Sequence, residues 1–321
     1  MTWIDAAGNF WLFGGFGLDS SGSNGFLNDL WKYSAGQWMW VSGSNVTGQK
    51  GTYGIQGTNA SSNIPGAREG AVTWTDAVGN LWLFGGFGFD STGTLFSYLN
   101  DLWKYGAGQW TWMGGSNVAN QKGTYGIQGT AAPNNIPGAR IGAMNWIDAG
   151  GNIWLFGGTG YESTGILGSI NDLWKYSAGQ WTWIGGPNTA NQSGIYGTQG
   201  AAAPGNIPGA RATGTTWTDT AGNFWLFGGG GYDSIGTHNR LNDLWRYSAG
   251  QWTWMGGSQI VNQNGTYGTQ GTVAPGNIPG ARGLASGWTD AAGNLWFFGG
   301  DDHDLAVPSP EQLNDLWKYE P

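Results

Sequence analysis

The chain has 321 residues, of which 39% are hydrophobic and 15% aromatic, while only 10% are charged. Its 63 glycines suggest low complexity, but 23 tryptophans argue against a disordered chain, because disordered segments are poor in aromatic residues. A formal net charge of −8 disfavours nucleic acid and anionic lipid as partners, and no apolar run is long enough to span a membrane. There is no cysteine, so disulfides and thiol chemistry are excluded and the redox compartment is left open. Met1-Thr2-Trp3 already reads as part of a strand, with no leader ahead of it. A mature form or a piece of a longer chain is therefore expected.

Internal periodicity decides the architecture. Trp3, Trp74, Trp146, Trp217 and Trp288 follow one another at intervals of 71, 72, 71 and 71 residues. In the second repeat, the first strand runs through Trp74 and ends at Thr75-Asp76. The second spans Leu81 to Phe84 and closes on Gly85-Gly86, the third spans Leu102 to Tyr105, and the fourth spans Gln109 to Met113. Short stretches rich in Trp, Phe and Tyr, punctuated by Gly and Asn, carry the strand signal. Asp76 to Asn80 and Gly106 to Gln109 read as tight hairpin turns. Apolar residues on both strand faces suit sheets packed on both sides, with most tryptophans in the core between blades. The expected fold is all-β: a closed five-bladed β-propeller of four-stranded antiparallel blades, forming one domain over residues 1–321. The repeats run approximately 1–68, 69–140, 141–211, 212–282 and 283–321.

The pattern resembles the kelch family over essentially the whole chain. A diglycine follows the second strand at Gly14-Gly15, Gly85-Gly86, Gly157-Gly158, Gly228-Gly229 and Gly299-Gly300. A Tyr and a Trp flank the next hairpin, as in Tyr33 with Trp38 and Tyr105 with Trp110, and Pro65 with Arg68 precedes a first strand. The repeat departs from kelch in being near 71 residues rather than about 50, with the excess in the loop between blades. The fifth repeat ends after its third strand, so the last blade is expected to lack its outer strand. The first repeat lacks the I-P-G-A-R segment, which leaves four arginines, Arg68, Arg140, Arg211 and Arg282, against five N-D motifs.

Strand parity crowds every long loop onto one end of the blades, and binding residues commonly sit on such loops over a rigid scaffold. The starts of the first and third strands share this end. Arg68, Arg140, Arg211 and Arg282 are therefore expected to form structural ion pairs with Asp101, Asp172, Asp243 and Asp315; an anion site is the alternative. Each long loop also carries one tyrosine, Tyr53, Tyr125, Tyr196 or Tyr267, among amides and glycines. It reads either as an ordered loop folded back on its blade or as a shallow sugar site in which the tyrosine stacks. Asp19, Asp90, Glu162 and Asp233 recur in the variable loops, where solvated acids are the plain expectation and calcium ligands the sharper one. The fifth variable loop differs, with Asp302, His303 and Asp304 as candidate ligand-binding residues. Asn45, Asn59, Asn191 and Asn264 begin glycosylation sequons.

The propeller also resembles that of galactose oxidase, whose copper site uses a tyrosine cross-linked to a cysteine. This chain has no cysteine and only His238 and His303, so the resemblance implies the scaffold and not the activity. No metal, no cofactor and no catalytic residue is expected. The leading expectation is a non-enzymatic binding module for glycans or another protein, outside the cell or at a bacterial surface. A structural repeat domain of a larger surface protein and a glycan-active hydrolase or lyase are the alternatives.

Overall fold

The computed structural model describes residues 1–94, 96–302 and 312–321. Its elements among these residues are all strands, gathered into five antiparallel sheets. Blade one contains Thr2–Ile4, Phe10–Leu18, Asn24–Ser34 and Gln37–Ser42. Blade two contains Val72–Thr75, Leu81–Gly88, Ser97–Gly106 and Gln109–Gly114, with the short piece Arg68–Glu69 continuing the first-strand position. Blades three and four repeat this plan, and blade five has three strands, Ser286–Thr289, Leu295–Phe298 and Leu316–Tyr319. First strands of successive blades touch one another, so they line the centre of a five-bladed propeller.

The second and third strands are longer than the sequence pattern suggests. In blade two they pair from Leu81↔Tyr105 out to Gly88↔Ser97, with a register shift between Phe84 and Gly86. The diglycine is therefore a bulge inside the strand rather than its end. Gly85 and Gly86 have φ of 68° and 101°, which side chains adopt only at a cost. A Cβ on Gly85 would also lie 2.9 Å from the carbonyl oxygen of Arg140 in the next blade. Glycine thus lets neighbouring blades approach at this level. The opposite end of each blade is closed by local chemistry. Asp76 accepts from the Asn80 side chain at 2.8 Å and from the Trp82 indole at 2.8 Å. Ala107 and Gly108 turn the outer hairpin with positive φ at both residues, as two-residue hairpins prefer.

Blades meet through aromatic rings. Phe13 packs on Trp110, Phe84 on Trp181 and Phe156 on Trp252, with centroids 5.4, 5.1 and 5.3 Å apart. The indole of Trp3 donates to the Trp82 carbonyl at 2.9 Å, and Trp146 and Trp217 repeat this bond to Trp225 and Trp296. Burial of each such ring contributes about 1.5–3 kcal/mol, so the interfaces between blades are the core of the molecule. One seam lacks them. Among the described residues no hydrogen bond, ion pair or aromatic contact joins blade one to blade five. The Trp38 and Trp288 rings that would lie there are 51% and 45% exposed, whereas the equivalent Trp110 is 1% exposed. The five-bladed propeller expected from the sequence is borne out, with three strands in the last blade and its contact with blade one left bare of aromatic packing among the described residues.

Candidate functional site

The repeated charged residues lie inside the loop end of the propeller. Arg68 is fully buried; its Nε donates to the Gly66 carbonyl and one terminal nitrogen to the Gly85 carbonyl, both at 2.9 Å. Its two terminal nitrogens grip both oxygens of Asp101 at 2.6 and 2.7 Å. The Tyr53 hydroxyl and the Trp103 indole donate to the same carboxylate at 2.6 and 2.7 Å. Identical sets join Arg140, Asp172, Tyr125 and Trp174, then Arg211, Asp243, Tyr196 and Trp245, then Arg282, Asp315, Tyr267 and Trp317. Burial opposes the charge on Arg140, yet the adjacent Asp172 outweighs it and its pKa rises. Burial and the neighbouring carboxylate push the Tyr125 hydroxyl far above its ordinary value. These groups stay in one protonation state and hold the loops to the blades.

Two readings of the sequence are corrected by this geometry. Tyr53, Tyr125 and Tyr196 are buried, each wedged against two tryptophans, so none can stack on a sugar from solvent. Tyr267 is exposed because blade five lacks a fourth strand to cover it, but its hydroxyl is held by Asp315 at 2.8 Å. Three of the four variable-loop acids are not solvated either, while Asp19 is only half-buried and accepts from Ser21 and the Thr47 amide. Asp90, Glu162 and Asp233 are buried and cap their own loops; Asp90, for example, accepts from Thr92 and from the Ala119 amide. Asp302 lines a cleft of about 310 Å³ between blades four and five, together with Arg240, Asn262, Gln263, Tyr267 and Arg282. His303 and Asp304 lie outside the described residues.

A second set of residues, not singled out from the sequence, runs across the same end. It comes from the cross-strand pair beyond each diglycine. Phe16 pairs with Phe26, Phe87 with Tyr98, Thr159 with Ser169, and Gly230 with Arg240. Phe26 packs edge-on against Phe16, Phe87 and Phe96, and Phe87 against Tyr98, which in turn meets Tyr161 of blade three. Beyond these, the Ser169 hydroxyl lies 3.3 Å from His238, which packs on Tyr232. Arg240 then binds Asp301 of blade five at 2.7 Å. The result is a band of neighbouring positions at one end of the blades, aromatic over blades one and two and charged over blades four and five. Phe16 and Phe96 are 57% and 64% exposed. Phe96 also holds a φ of 58°, a conformation that costs a non-glycine residue about 1–3 kcal/mol and clusters at functional sites. Partial burial, followed by the Arg240 charge, lowers the His238 pKa, so the imidazole is neutral at pH 7. The signal in the sequence was variation: the residue before the recurring hydrophobic-Asn-Asp is Phe26, Tyr98, Ser169, Arg240 and Gln312, while the five residues that follow it scarcely change.

No family model and no curated protein matches the chain. Solved structures do. The structure of YjhT aligns over 98% of this chain and 79% of that one, at 14% identity and a TM-score of 0.55. The fold is that of a kelch-type β-propeller. A fungal alcohol oxidase of the AA5 family, in complex with copper, aligns over 98% of this chain and 64% of its own, at 13% identity and a TM-score of 0.44. The expectation that the chain is not an enzyme is corrected: a propeller scaffold by itself gives no ground to exclude catalysis. At 13% identity the likeness confers on this chain neither that protein's activity nor its copper.

Proposed function

We propose that this kelch-type propeller is a binding scaffold whose ligand, a glycan, lies across the band on its loop face. The carrying observation is that exposed Phe16 and Phe96 and the charged pair Arg240–Asp301 lie on the same end of the propeller, Phe16 and Arg240 both in the cross-strand pairs just beyond the diglycines. Aromatic faces offer apolar surface to the C–H faces of a sugar ring, and a few placed polar groups orient its hydroxyls. Arg240 donates, Asp301 accepts, and neutral His238 does either. The buried Arg–Asp–Tyr sets keep the surface rigid, which lowers the entropic cost of binding. Such a role suits a position outside the cell or at a bacterial surface.

A glycan array followed by calorimetry tests the reading. Phe96→Ala and Arg240→Ala are each expected to weaken the selected glycan tenfold or more, with an unchanged melting temperature. A glycan whose affinity ignores both substitutions would refute the proposed surface. A polypeptide that binds in place of any glycan, and is lost with Phe96→Ala, would keep the surface and overturn the ligand class.

A further inference from the structure

The long loop between two blades folds onto the blade that follows it. After blade one, the Gly57 amide donates to the Trp112 carbonyl at 2.8 Å, Gln56 to the Met113 carbonyl at 3.2 Å, and Asn63 to the Trp110 carbonyl at 3.2 Å. The Tyr53 ring sits between Trp103 and Trp112, at 4.8 and 5.3 Å, and Tyr53 and Arg68 converge on Asp101. The next two loops repeat these bonds on blades three and four, with Gly129 on Trp183 and Gly200 on Trp254, both at 2.8 Å. Blades two to four therefore each present a receptor made of one aspartate, three tryptophans and the carbonyls of the outer strand.

Blade one has the same receptor. Asp29, Trp31, Trp38 and Trp40 stand at the positions of Asp101, Trp103, Trp110 and Trp112. They already hold the geometry seen under a seated loop. The Trp31 indole donates to Asp29 at 2.6 Å and the Trp40 indole to the Ser42 carbonyl at 2.9 Å, as Trp103 does to Asp101 and Trp112 to Gly114. Among the described residues no arginine or tyrosine reaches Asp29, whose one hydrogen bond comes from Trp31. Trp40, on the face where the loop would lie, is about half exposed, whereas its counterpart Trp112 is partly covered under a seated loop.

We infer that the outer face of blade one, at Asp29, Trp31, Trp38 and Trp40, docks a polypeptide loop carrying a tyrosine and, 15 residues later, an arginine, as Gln49 to Arg68 does for blade two. The tyrosine of the docked segment enters between Trp31 and Trp40, and its arginine forks onto Asp29. Charge and shape both argue for this occupant. The carboxylate matches a guanidinium bidentately, and the aromatic slot matches the ring that fills it in the following blades. A second copy of this chain is a poorer fit, since its own loops are seated on their own blades.

The test uses the intact chain and a synthetic peptide with the sequence of residues 49–68, titrated by calorimetry and tryptophan fluorescence. One peptide is expected to bind per chain. Asp29→Asn in the chain is expected to weaken it tenfold or more. Because that substitution could disturb the blade, the unaltered chain is also titrated with peptides carrying Arg68→Ala or Tyr53→Phe, which are expected to bind at least tenfold and several-fold more weakly. Absence of saturable binding up to millimolar peptide, or binding indifferent to all three changes, overturns the inference. So does self-association of the chain through Trp38 and Trp40 that the peptide fails to displace.

Discussion

Replacing Arg140 by alanine isolates what the buried ion pairs contribute. The change removes four hydrogen bonds: two to Asp172, at 2.6 and 2.9 Å, and one each to the Gly138 and Gly157 carbonyls, at 3.0 and 2.9 Å. Asp172 is fully buried and keeps only the Tyr125 hydroxyl and the Trp174 indole, both at 2.7 Å, against a full negative charge. Removing one partner of a buried pair typically costs about 3–5 kcal/mol, because the other charge is left uncompensated. The loss of stability on Arg140→Ala is expected in that range. Arg282→Ala is expected to cost less, since Asp315 is 17% exposed and water can replace part of the arginine. The double change Arg140→Met with Asp172→Leu is expected to recover most of the loss, because it removes both charges. Urea unfolding followed by tryptophan fluorescence measures all three. An Arg140→Ala midpoint within about 1 kcal/mol of the unaltered protein would refute the reasoning, because it would mean that Asp172 finds a proton or water at little cost.

In acid the fifth blade is expected to loosen first. Burial pushes the Asp315 pKa up, but hydrogen bonds from Arg282, Trp317 and Tyr267 outweigh it and hold the group at about 2. That lies below the ordinary value of about 3.9, so its contribution is complete above about pH 5 and is lost as the pH falls toward 2. A pH titration of thermal stability that keeps the same slope in Asp315→Asn would disprove this assignment. Gly138→Ala is expected to destabilise by about 1–3 kcal/mol, because the added methyl group would meet the Tyr161 carbonyl across a close backbone crossing. An unchanged urea midpoint would show that the loop yields there. Trp110→Ala is expected to cost about 3–5 kcal/mol, and Trp38→Ala far less, because the first ring is buried between blades and the second is half exposed at the seam. Equal losses at the two sites would mean that the seam is covered in solution.

What the sequence determined was the repeated strand order, turns and charged pairs of one blade, though not the length of its second and third strands. Strands follow from alternating aromatic residues, turns from Asp76-to-Asn80 chemistry, and the Arg140–Asp172 register from two motifs that strand parity brings to the same end. These are consequences of backbone geometry over at most one repeat. Tertiary structure decided what happens between blades. A tyrosine on a glycine-rich loop reads alike whether its ring faces water or a tryptophan slot, and Tyr125 is buried only because the loop crosses to the following blade. Asp90 reads as a surface acid until its loop closes over it. The band from Phe16 to Asp301 draws its members from all five blades, so no single repeat contains it. Contacts of that kind come from packing between repeats, which the pattern within one repeat does not encode.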